Sequence, residues 1–136
     1  MRDGYDIVER SGETRVRAWG RNERELFQRA LLGLSLVLRP DTGSKNEAKV
    51  SVLLRIQGEG LSDVLSRFLS AALFEADMRN AVFSALHIVH FSPEEIECEL
   101  LGRTVEDFEE TVGACILHEV TRTQNGWEAE FTALTL

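Results

Sequence analysis

The groups able to do chemistry in this 136-residue chain are three histidines, two cysteines and 23 carboxylates, and their spacing decides whether they form a site. His87 and His90 stand three apart in a segment that reads as a strand. Strand alternation sends their side chains to opposite faces, so they cannot share a metal unless the strand is bulged. Cys98 and Cys115 also fall in strand-like segments and could be neighbours, but neither has the close-spaced Cys or His partner of a zinc site. With no apolar leader at the N-terminus, a disulfide is not expected, and both are read as buried, inert thiols. Glu97 and Glu99 share one strand face, as do Glu128 and Glu130. Alternation with apolar residues explains both pairs as solvated faces, and spacing alone selects no acid/base pair. His118 is set apart only by its neighbours Cys115 and Glu119.

Phosphate-binding and nucleophile signatures are also missing. Gly58-Glu59-Gly60 has no third glycine and carries an acidic side chain, which suits a structural loop better than a phosphate cradle. There is no Walker-type loop and no Gly-x-Ser-x-Gly elbow. The chain therefore carries no complete catalytic or metal-binding constellation and is expected to assist a partner, not to act as an enzyme.

Charge narrows the partners. A net charge of −8 repels a phosphate backbone and disfavours general nucleic-acid binding. Arg10, Arg15, Arg17 and Arg21 gather around one strand against this trend. They read as a solvated, positively charged sheet face or edge that discourages edge pairing. A docking patch for an acidic partner or an RNA phosphate is the alternative. The longest apolar stretches, Leu31–Leu38 and Ala71–Phe74, are far short of a membrane span, so a cytoplasmic protein without membrane contact is expected.

The elements that must position these residues are legible from hydrophobic period. Tyr5–Glu9 and Thr14–Trp19 read as strands around the turn Ser11-Gly12. Val16 and Ala18 share one face of the second strand, and Arg15, Arg17 and Trp19 the other. Asn22 can cap a helix with Glu25 as the reciprocal member of a capping box. Leu26, Phe27, Ala30, Leu31, Leu34, Val37 and Leu38 give that helix one apolar face until Pro40 forbids continuation and Asp41-Thr42-Gly43-Ser44 forms a loop. Lys49–Ile56 alternates strictly, and a second amphipathic helix runs from Leu61 to Ala76. Val82–Phe91, Ile96–Leu101, Ala114–Thr123 and Trp127–Leu136 read as four further strands, with Ser92-Pro93 between the first two. The acidic run Val105–Glu110 is a connection with room for a short helical turn. Asn125-Gly126 signals a hairpin closed by a type I′ turn. The order ββαβαββββ, with two one-sided helices, predicts a single layered α+β domain over residues 1–136, on a mostly antiparallel sheet. The recurrence of strand–helix–strand hints at two similar halves sharing one sheet system.

Read from end to end, the chain resembles the archease family. Arg10-Ser11-Gly12-Glu13-Thr14-Arg15-Val16-Arg17-Ala18-Trp19-Gly20 stands where archeases carry a His-Thr-Ala-Asp-Ile segment and a basic strand ending in aromatic-Gly. Glu25–Leu34 is similar to their first helix, and Leu61–Phe74 to their second. Ala114-Cys115-Ile116-Leu117-His118-Glu119 stands where they have Lys-Ala-Val-Thr-Tyr-His, and Gly126–Phe131 resembles their last strand. The resemblance implies a protein cofactor of the GTP-dependent RNA ligase of tRNA splicing and RNA repair. Such a cofactor promotes guanylylation and turnover with a divalent metal, calcium by resemblance, held by aspartates.

This chain departs from that pattern. The Asp of the first motif is Glu13, the Asp seven residues after Trp127 falls on Leu134, the Lys falls on Gly113, and the first motif's His is Arg10. His118 is retained. A hard cation wants six or more oxygen ligands, several of them anionic, so one surviving Glu implies weak or lost metal binding. Glu13 is the candidate metal ligand and Arg15, Arg17 and His118 the candidate partner contacts. The expected partner is an RNA ligase or another RNA-processing protein. The alternative is a divergent member that lost the metal and serves as a protein-binding or scaffold domain, for which a homodimer is one form. An unrecognised enzyme is the weakest reading.

Overall fold

The computed structural model describes residues 4–10, 13–38, 48–105 and 112–135. The Ser11-Gly12 turn, the Pro40 stop with its following loop, all but the first residue of the Val105–Glu110 connection, and Leu136 lie outside the described residues.

The elements follow in the expected order: β1 (Tyr5–Arg10), β2 (Glu13–Gly20), α1 (Glu23–Val37), β3 (Lys49–Gln57), α2 (Leu61–Arg79), β4 (Ala81–Ser92), β5 (Glu95–Thr104), β6 (Val112–Thr123) and β7 (Gly126–Thr135). The strands form two sheets, of order β1-β2-β7-β6 and β3-β5-β4, with every pairing antiparallel. The hint of one shared sheet system is thus corrected. Helix α1 packs on β2 and β7 of one sheet and on β4 of the other, and α2 packs on β6 and on β3, β4 and β5. Each helix therefore needs a broad apolar face, and α1 buries residues as widely spread around its axis as Leu26, Leu31, Gly33 and Ser35. Phe27 lies at the centre, its ring 5.2 Å from Phe68 of α2 and 5.4 Å, edge-on, from Phe91 of β4. At Gly33 a Cβ would come within 2.7 Å of the buried Val16 side chain, so glycine allows α1 its close seat on β2.

Local signals set the helix ends. The Asn22 Oδ1 accepts from the Glu25 N–H at 2.9 Å, as expected of an N-cap. The Glu25 carboxylate reaches past the cap to the Arg21 N–H at 3.2 Å, one residue earlier than a capping box requires. Helix α2 ends on Asn80, held in the left-handed region at φ 46°. The β6–β7 hairpin forms, but its two central residues are Gln124 and Asn125, because Thr123 pairs with Gly126. Gly126 takes φ 144°, and Asn80 is the one described non-glycine residue with positive φ. The type I′ turn on Asn125-Gly126 is therefore not formed.

Two edge strands carry bulges, and these overturn one expectation. In β4 the register slips between Phe83 and Ala85 and between Ile88 and His90, leaving Ser84 and Val89 as extra residues. The slips keep Leu86, Ile88 and Phe91 facing the core. They also place His87 opposite Glu99 and His90 opposite Glu97, so both histidines share the outward face. Opposite faces, expected from simple alternation, are ruled out by the second bulge. In β6 the extra residues are Gly113 and His118.

Candidate functional site

The outward face of the four-stranded sheet gathers the candidate residues. Strand β2 turns Val16 and Ala18 into the core and leaves Glu13, Arg15, Arg17 and Trp19 outward. The ladder to β7 sets Glu13 opposite Leu134, Arg15 opposite Thr132, Arg17 opposite Glu130 and Trp19 opposite Glu128. On the far side of β7, Ala114 faces Leu134 and Ile116 faces Thr132. The bulge at His118 lets Leu117 and Val120 both pack inward while Glu119 falls beside Glu130. Glu13, Arg15, Arg17 and His118 thus come together on one face.

Ion pairs organise this face. Nε of Arg15 lies 3.3 Å from Oε1 of Glu13, and its Nη1 lies 3.4 Å from Oε1 of Glu130. Nε of Arg17 lies 3.1 Å from Oε1 of Glu128, and its Nη2 lies 3.8 Å from Oε2 of Glu130. His118 Nε2 and Thr132 Oγ1 share a hydrogen bond of 2.5 Å, and Thr132 is buried. A shallow cavity of about 220 Å³ opens between β1 and β2, lined by Asp6, Val8, Arg15, Val16, Arg17 and Glu130. Arg21 does not join the group, because it pairs with Glu25 at the head of α1. Arg15 and Arg17 are ion-paired with Glu13 of their own strand and with Glu128 and Glu130 of β7, and Asp6 of β1 stands opposite Arg17, so the basic strand is neutralised by the carboxylates around it.

Reading from sequence missed Glu128, Glu130 and Thr132 as members of the site. The period-two spacing of all three was visible, but the β2–β7 register that sets them against Arg15 and Arg17 was not.

The residues do not fit a hard divalent cation. Leu134, an aliphatic side chain, stands at the position opposite Glu13. Gly113 lies in the bulge beside that same row and offers no side chain. Among the described residues no group of three or more His, Cys, Asp or Glu is placed to hold a metal ion. His87 and His90 form no such group even though the bulge brings them to one face.

The cysteines lie in different sheets, Cys98 in β5 and Cys115 in β6, and both are free thiols; Cys98 is buried as expected, but Cys115 is only partly buried. Burial pushes the Cys98 thiol up to about 11 and the Cys115 thiol up to about 12, opposite to the shift a reactive cysteine needs. Glu59 donates its backbone N–H to Asp63 at 2.9 Å, so the Gly58-Glu59-Gly60 loop serves the start of α2. A larger cavity of about 740 Å³ lies on the other sheet, bordered by Lys49, Ser51, Ser84 and Leu101, and contains none of the candidate residues. Among the described residues no helix is long and apolar enough to cross a membrane.

Comparison with known proteins agrees with this architecture. The family model described as "Archease protein family (MTH1598/TM1083)" matches residues 5–133. Among solved structures, the chain is similar to the solution structure of Methanobacterium thermoautotrophicum protein 1598 at 19% identity and a TM-score of 0.69. The match covers 98% of this chain and 99% of that one. No curated protein matches.

Proposed function

Because the chain belongs to the Archease family, we propose that it is an accessory protein of a GTP-dependent RNA ligase, acting in tRNA splicing or RNA repair. An accessory role is what the family supports in general. The ligase, its guanylylation and its turnover are the finer reading proposed here, together with a cytoplasmic location and an action that is not itself enzymatic.

The observation that carries the proposal is the convergence of Arg15, Arg17 and His118 on one outward sheet face. The face is flanked by a shallow cavity and mixes ion-paired side chains with the exposed apolar Val8 and Ile116, which suits contact with a folded protein. Its negative balance disfavours direct contact with RNA phosphate, so the RNA would be reached through the ligase. The test is ligation by the cognate ligase under multiple turnover, with guanylylation followed in parallel. Added protein should raise both, and the Arg17→Glu variant should lose the effect while keeping its fold. No change in either reaction would sink the proposal.

The second reading, a divergent member kept as a protein-binding domain, is favoured by Leu134 standing opposite Glu13. It predicts a stable complex with a partner other than the ligase, or a homodimer, and no stimulation of ligation.

A further inference from the structure

We propose that Arg15 is the resident cation of this sheet face and makes the protein indifferent to calcium and manganese. The inference extends the functional reading to how the face is held together, but it is tested without the ligase, so either can fail alone.

Arg15 sits on the row between Glu13–Leu134 and Arg17–Glu130. Its guanidinium spans the two carboxylates on either side, with Nε toward Glu13 at 3.3 Å and Nη1 toward Glu130 at 3.4 Å. A divalent ion recruiting Glu13 and Glu130 would have to displace that guanidinium, with aliphatic Leu134 opposite Glu13 and no third carboxylate, His or Cys among the described residues placed to complete its shell. The substitution is chemically coherent. A guanidinium offers several N–H donors in a planar fork that matches carboxylates, so one side chain can bridge two of them. Arg17 repeats the arrangement one row on, between Glu128 and Glu130. Thr132, the ladder neighbour of Arg15, is kept buried and bonded to His118, so the base of the site is closed as well.

The consequence concerns regulation. An arginine is part of the chain itself, so no chelator removes it. The geometry of the face then does not depend on the supply of divalent ions.

The test compares the thermal unfolding of three full-length proteins in chelator, in calcium chloride and in manganese chloride: the natural chain, Leu134→Asp, and Leu134→Asp/Arg15→Gln. The natural chain and Leu134→Asp should melt at the same temperature in all three conditions. The double variant, with a carboxylate restored and the guanidinium gone, should melt higher with either cation than in chelator. Calorimetric titration should show cation binding to the double variant alone. A natural chain that binds or is stabilised by either cation overturns the proposal. So does Leu134→Asp responding as strongly as the double variant, or a double variant that does not respond at all.

Discussion

Glu13 and Leu134 are register partners across β2 and β7, their side chains on the outward face of the sheet. On its other side Glu13 is the register partner of Arg10 of β1, and along its own strand it pairs with Arg15, two residues on. That pairing turns a row that could have concentrated negative charge into part of an arginine–carboxylate ladder.

The ladder should matter little for stability. Its members are half-exposed, and exposed ion pairs contribute roughly 0–1 kcal/mol each. Arg15→Ala and Arg17→Ala should each lower the unfolding free energy by about 1 kcal/mol or less in urea titration. The loss should shrink at high salt, where screening weakens the natural pairs.

The core should respond very differently. Phe27 is fully buried and in ring contact with both Phe68 and Phe91. Phe27→Ala should cost about 3–5 kcal/mol, read as a shifted urea midpoint. Gly33→Val should also destabilise, by about 1–3 kcal/mol, because the added side chain meets Val16 across a gap that leaves no room for it.

The first turn of α1 gives a local test. Asn22→Ala removes the acceptor for the Glu25 N–H and should cost about 1 kcal/mol. The Arg21 backbone N–H, before its side chain, holds the Glu25 carboxyl below the ordinary 4.5. The unfolded chain therefore takes up this proton first. Its stabilising contribution is fully present above pH 4.5 and is lost as the pH falls through the lower folded-state value. Asp63, lowered by the Glu59 N–H and by Arg67, acts in the same direction. Acid unfolding followed by circular dichroism should begin below about pH 4.5 and be less steep in Glu25→Gln.

Thiol labelling offers a fourth check. With both thiols raised far above neutral pH, native Cys98 and Cys115 should resist an aromatic disulfide reagent at pH 8. Both should react at once in strong denaturant; Cys98, the buried thiol, should be the slower of the two in the native protein, and fast native labelling of Cys98 would contradict its burial.

Hydrophobic period was enough to read the helices and strands, because a one-sided apolar stripe at 3.6 or an alternation at 2 fits one secondary structure and clashes with the other. Leu26 through Leu38 and Val50 through Ile56 left no alternative. The same alternation failed at His87 and His90, where a bulge inserted one residue to keep Phe91 against Phe27. Packing of a distant aromatic decided the facing of two histidines, and no local pattern carries that information. It also failed to separate the strands into two sheets, since each helix face looks the same from sequence whether one sheet or two receive it. The candidate residues Glu13, Arg15, Arg17 and His118 stood out by type and by resemblance, but their grouping did not. Cross-strand register made Glu128 and Glu130 the partners of the arginines and set Leu134 against Glu13. Register is a long-range property, fixed by which residues must be buried together, and so it is settled only when the whole chain is packed.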